Sequence, residues 1–203
     1  MLDTFQLTRE QIDSAYSYES YRSLIDTLLA KGQTTGPKQS EALTKYTQLN
    51  VQRMHRLDKT TVLMPELAEA ARQLDRSYFW LVLTEGWCGD AAQIIPVFEH
   101  IATASNGRIQ TRYFLRDEHP EFMDAHLTKG GRAIPKLVVA DAETLQEAAE
   151  WGPRPEPAQE LYWSLKDGQV PFDELTTRLH TWYAKDKTLT TQAELLALLH
   201  QLQ

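Results

Sequence analysis

Two hydrophobic periods meet near residue 88, and the rest of the chain is arranged around that junction. Tyr78–Thr84 is a short, nearly continuous apolar run, the pattern of a strand buried on both faces. Glu85 and Gly86 break it. After Trp87-Cys88-Gly89-Asp90, the residues Ile94, Val97, Phe98 and Ile101 recur at i, i+3, i+4 and i+7, one face of a helix. The single cysteine of the protein therefore sits where a buried strand hands over to a helix. The first helical turn carries unpaired N–H groups and the positive end of the macrodipole, which favour a thiolate.

The N-terminal third reads as helical. Thr8 and Gln11 are spaced for a capping box. Tyr21, Leu24, Ile25, Leu28 and Leu29 form an apolar stripe that Gly32 is suited to stop. Thr34-Thr35-Gly36-Pro37 marks a loop. From Ser40 a second helical pattern uses Leu43, Tyr46, Asn50, Met54 and Leu57, and its basic residues Lys45, Arg53, Arg56 and Lys59 read as a solvated face. A short helix over residues 65–74, with Pro65 in its first turn, leads into the central strand.

Past the central helix, Ser105-Asn106-Gly107 is a turn and residues 109–115 a second strand. Residues 121–127 form a short helix. A third strand at 136–140 and a half-buried partner carrying Leu145, Glu147, Ala149 and Trp151 follow. Gly152-Pro153-Arg154-Pro155-Glu156-Pro157 cannot continue a sheet, which places the end of the core there. The remainder is helical, with Thr191 and Glu194 as a capping box for the last helix. The chain divides into a helical extension at 1–61, a core at 62–157 and a helical extension at 158–203, the extensions packing on the core.

A chain of 203 residues can bury a sizeable core, and 42% hydrophobic with 24% charged residues is ordinary globular composition. The net charge of −7 argues against nucleic acid or an anionic membrane as the main partner. The Met1-Leu2-Asp3 start lacks the basic and apolar regions of a leader, and no apolar run reaches ~18 residues. The expected location is cytoplasmic.

Trp87-Cys88-Gly89-Asp90 after a buried strand, with Pro96 inside the following helix, resembles the active-site segment of the thioredoxin superfamily. Gly131-Arg132-Ala133-Ile134-Pro135-Lys136 resembles that superfamily's Ile-cis-Pro loop entering the next strand. The resemblance covers residues 62–157, about half the chain, and implies an α/β thioredoxin-like fold: a mixed sheet flanked by helices. It departs at one position, because Ala91 stands where the resolving cysteine of a Cys-x-x-Cys pair would be. The resemblance makes Cys88 the candidate catalytic residue. A cis Pro135 would set the Ile134 backbone beside Cys88, where an extended substrate main chain pairs in that superfamily.

Each candidate also has a plainer role. Cys88 can be a small buried hydrophobe, Pro135 a trans loop residue, and Trp87 packing beneath the site rather than a wall of it. Gly89, with Gly86, permits close approach of backbone and substrate. Asp90 stabilises the first helical turn yet opposes ionisation of Cys88. Arg132 is placed either to attract a glutathione carboxylate or to lie in solvent. The strand before Cys88 carries no acid for proton transfer; the next, Glu85, falls in the loop. His119 and His126 lack a ligand cluster, so no metal is expected. No phosphate loop or dinucleotide fingerprint is present, and no cofactor is expected. Trp151, Trp163 and Trp182 read as core.

Two functions follow. The first is a thiol-redox protein acting through Cys88 alone, exchanging with protein thiols and disulfides or with glutathione, since release of a mixed disulfide needs an external thiol when Ala91 replaces the second cysteine. The second is a non-catalytic thioredoxin-like scaffold that binds a partner in the Trp87/Ile134-Pro135 groove. The oligomeric state is not legible from the sequence.

Overall fold

The computed structural model describes residues 6–203, so the Met1-Leu2-Asp3 start lies outside the described residues. The central strand β1 (Tyr78–Thr84) is buried at all seven positions, as its unbroken apolar run requires. On one side β2 (Ile109–Leu115) pairs with it in parallel, Tyr78 opposite Ile109 through Thr84 opposite Leu115. On the other side β3 (Lys136–Asp141) pairs antiparallel, and β4 (Glu147–Trp151) closes that edge, giving the order β2-β1-β3-β4. A parallel pair needs a crossover, and the helix α5 (Gly89–Ala104) supplies it. This mixed sheet with helices on its faces is the α/β class that the sequence implied.

The N-terminal helices form as α1 (Arg9–Ser14), α2 (Tyr18–Ala30) and α3 (Glu41–Thr60), with α4 (Pro65–Arg72) before β1. The Thr8–Gln11 capping box closes α1. The helix stops after one and a half turns because Tyr16 exchanges two backbone hydrogen bonds with Tyr113 of β2, at 3.1 and 2.8 Å. That bridge pulls one residue of the N-terminal segment onto the sheet edge, and Ser17 caps a fresh helix behind it.

After β2, α6 (Pro120–Ala125) ends two residues earlier than its apolar pattern indicates, because the His126 ring bonds the Phe122 carbonyl and Glu147. The C-terminal helices are α7 (Glu156–Asp167), α8 (Phe172–Asp186) and α9 (Leu189–Gln201). The capping box expected of Thr191 and Glu194 does not form. The helix begins earlier, at Leu189, Thr191 is buried inside it, and Glu194 instead accepts from Trp151 Nε1 and the Glu156 N–H, both at 2.7 Å. One hydrophobic core joins Ile25, Met54 and Leu67, the strands, α5, and Leu179, Tyr183 and Leu199. Among the described residues no helix is long and apolar enough to cross a membrane.

Candidate functional site

The site begins with the turn that links β1 to α5. The Cys88 N–H closes it by donating to the Glu85 carbonyl at 3.0 Å, and Gly86 is held from both sides. Its N–H donates to Thr35 Oγ1 at 2.8 Å, and its carbonyl accepts from Asn50 Nδ2 at 3.0 Å. The N-terminal segments thus clamp the loop that aims the cysteine. Glu85 is fully buried, with its carboxyl raised by that burial and Oε1 accepting from the Asp117 N–H. A buried acid is therefore present three positions before Cys88 in the sequence, although the strand itself offers none and Glu85 does not line the cavity at Cys88.

Cys88 is the N-cap of α5: its Sγ accepts from the Ala91 N–H at 3.5 Å. The thiol in turn donates to the Ile134 carbonyl at 3.3 Å. The Ile134–Pro135 peptide bond is cis, and so is Gly152–Pro153. Only 7% of Cys88 is exposed. Burial, and then the neighbouring Asp90 carboxylate, push the thiol up to about 12, against the weaker pull of the α5 N–H groups and Arg154. The helix terminus alone would have lowered it. Desolvation wins.

Asp90 is not a surface carboxylate in the first turn. Its side chain is 9% exposed and forms an ion pair at 2.6 Å with Arg154, itself 11% exposed, while Tyr183 Oη donates to it at 2.8 Å. Burial acts to lower the Arg154 guanidinium, but Asp90 and Tyr183 outweigh it and hold it above its ordinary value. Arg154 also lies over the Tyr162 ring, 4.0 Å from its centroid. Gly89 lies beneath His180: a Cβ there would come within 2.7 Å of Nε2. Burial and then Arg53 depress the His180 imidazole to about 4, so it is neutral near pH 7. Arg53 does not belong to a solvated face; it turns inward to donate to Asn50 Oδ1 at 2.7 Å.

These groups surround a cavity of about 390 Å³. Trp87, Cys88, Gly89, Asp90, Arg132 and Ile134 all line it, whereas Ala91 and Pro135 are buried behind the lining. Trp87 is a wall, faced by Arg116 at 4.8 Å. Arg132 lies at the exposed rim, its guanidinium bound to Asp124 by two 2.6 Å bonds, so it is not a free cation. Sequence reasoning missed the opposite wall, where α7 and α8 contribute Tyr162, Trp163, Lys166, Leu179 and His180. Trp163 belongs to that wall rather than to the core. The available signal was Arg154 between two prolines, a charged residue in a segment otherwise built to be rigid. Among the described residues no group of three or more His, Cys, Asp or Glu side chains is placed to hold a metal ion.

A strand-to-helix cysteine facing an Ile-cis-Pro loop across a mixed sheet defines the chain as a thioredoxin-like protein. The family model for thioredoxin matches residues 36–170, well over half the chain, and the protein belongs to the thioredoxin family. Among solved structures it resembles a 1.5 Å crystal structure of a protein of unknown function from Pseudomonas aeruginosa, with a TM-score of 0.62 and 15% identity over 96% of this chain and 98% of that one. It also resembles an HIV epitope-scaffold, with a TM-score of 0.55 and 16% identity over 91% and 98%. At these identities the likeness concerns the fold. No curated protein matches the chain.

Proposed function

We propose that this thioredoxin-family protein is a binding protein, whose cavity at Cys88 receives a ligand while the cysteine itself serves as a structural cap. The observation that carries this reading is the state of the sulfur. It is buried, it donates to Ile134, and its thiol is pushed up to about 12. A thiol raised in this way holds far less thiolate at pH 7 than an ordinary one near 8.5, and the greater nucleophilicity of a more basic thiolate recovers only part of the loss. Exchange is slowed before access is considered, and Ala91 supplies no second thiol.

The rate of Cys88 alkylation against pH, in the native protein, tests this, and no other thiol confuses the signal. The expected profile has no inflection below about 9, with reaction accelerating on unfolding. An inflection well below 8.5 would overturn the reading.

A second reading draws support from the sulfur's position between the Ala91 N–H and the Ile134 carbonyl beside the cis peptide. In it Cys88 works as a monothiol on protein disulfides or glutathione adducts in the cytoplasm. The thiolate attacks one sulfur of a disulfide, a Cys88 Sγ–S bond forms, and the other sulfur leaves as a thiolate. An external low-molecular-weight thiol then attacks the mixed disulfide, restores Cys88 and departs in a new disulfide. An early alkylation inflection would favour this reading over the first.

A further inference from the structure

The α7 wall of the cavity carries a cation, Lys166, and N–H donors that the protein itself does not satisfy. Two ammonium groups, Lys166 on α7 and Lys129 from the loop after α6, each stand 4.9 Å from the Trp163 ring centroid. Among the described residues neither lysine has a carboxylate within 4.0 Å. Trp163 Nε1, Gln159 Nε2 and Arg154 Nε are sealed from water and have no acceptor. An N–H left in this condition costs about 1–3 kcal/mol, and native structures hold few of them. Here three gather in one partition, since Arg154, Gln159 and Trp163 line both the Cys88 cavity and an adjoining one of about 430 Å³.

The opposing charges are accounted for. Asp90, the carboxylate that lines the Cys88 cavity, is taken up by Arg154 and Tyr183. Glu156 and Glu160 line only the adjoining cavity, as Lys129 does, whereas Lys166 lines the Cys88 cavity. Gln159 and Trp163 are half-buried, and both side chains line the Cys88 cavity. Donors without acceptors, flanked by unpaired cations and aromatic faces, call for an oxyanion. The cavity of about 390 Å³ that α7 and α8 help to wall beside Cys88 is of a size for a small molecule.

We propose that the ligand of the Cys88 cavity is a small carboxylate-bearing molecule whose carboxylate is held at Trp163 by Lys166 and by the Gln159 and Trp163 N–H groups once those side chains turn toward it, with Lys129 reaching Trp163 from the adjoining cavity. This deepens the binding reading above and rests on it. The site is an electrostatic one, so its affinity falls as salt rises.

The probe is S-methylglutathione, a small dicarboxylate whose capped sulfur cannot exchange, titrated calorimetrically into the native protein beside its dimethyl ester and inorganic phosphate. S-methylglutathione is expected to bind at least tenfold more tightly than the ester. Lys129→Gln with Lys166→Gln should weaken it at least tenfold, and Trp163→Phe, which removes only the N–H, by about tenfold. These substitutions lie on exposed or half-buried positions, and circular dichroism checks that each variant folds. No binding, equal binding of the ester, or affinity unchanged in both variants overturns the proposal. Binding of phosphate alone, with the same sensitivity to the variants, overturns the carboxylate assignment. Because the probe has no thiol, the result is independent of the alkylation profile: a reactive Cys88 with a normal S-methylglutathione site would sink only the structural role of the cysteine.

Discussion

Replacing Asp90 by Asn tests the centre of the site, because it removes one charge of a buried pair and keeps the shape. The pair is nearly sealed, at 9% and 11% side-chain exposure, with a 2.6 Å contact. Breaking a buried pair from one side leaves an uncompensated charge and costs about 3–5 kcal/mol. Asn retains an oxygen for the Tyr183 hydroxyl, so the expected loss lies at the lower end, about 3 kcal/mol. For a chain of this length that corresponds to roughly 6–12 °C in Tm. Urea unfolding and a thermal scan measure it. The double variant Asp90→Asn with Arg154→Met removes both charges and should be more stable than Asp90→Asn alone, which a double-mutant cycle reads directly. The same single substitution should also lower the alkylation inflection of Cys88, because the carboxylate that raises it is gone and Arg154 is left free to stabilise a thiolate. A loss under 1 kcal/mol with no coupling in the cycle would refute the pair as a stabilising contact. An unmoved inflection would refute its control of the sulfur.

Two further outcomes are expected. Gly152→Ala should cost about 3–5 kcal/mol in urea unfolding, since Gly152 sits at φ +107° and a Cβ would meet the Pro135 carbonyl oxygen at 2.6 Å, a backbone atom that cannot swing aside; a loss under 1 kcal/mol would count against this. His180 has a folded value of about 4, below the 6.5 of the unfolded chain, so its contribution to stability is complete above about pH 6.5 and disappears as pH falls toward 4. The amount is at most about 3 kcal/mol, His180→Gln should flatten that part of the stability–pH curve, and an unchanged slope would remove His180 from the account.

The central strand, the crossover helix and the cysteine at their junction were legible because each is written in local hydrophobic period. β1 and β2 fall on the residues their apolar runs mark, and Trp87, Cys88, Gly89, Asp90, Arg132 and Ile134 do share one cavity. What was not legible is what distant segments do to those residues. Nothing local to Asp90 indicates a partner 64 positions later, and an arginine between prolines reads as loop punctuation until the chain turns it inward. Trp163 sits on a helix whose apolar stripe suits a core position, and only the packing of α7 against the cavity makes it a wall. Glu85 lies in the loop as expected, but its burial was not legible because its partners Thr35 and Asp117 come from other segments. The break at Tyr16 was invisible for the same reason: a helical pattern lost to a backbone bridge with β2.

The same geometry explains why the thiol at this helix start is pushed up rather than down. A helix N-terminus behaves as roughly half a positive charge, and a single neighbouring thiol would ordinarily receive that benefit. Here Asp90 occupies the first turn and takes the benefit as a carboxylate, which then opposes a second anion at Cys88. A carboxylate this deeply buried needs its own counter-charge. Arg154 provides it, and Arg154 reaches inward only because the segment after β4 turns back over the site and runs into α7. The ion pair, the α7 wall and the raised thiol are therefore one arrangement: the residue that holds the end of the helix also draws in the segment that lines the cavity. In the binding role proposed above, a sulfur enclosed in that way would contribute shape, and the cation left for a ligand on the opposite wall would be Lys166.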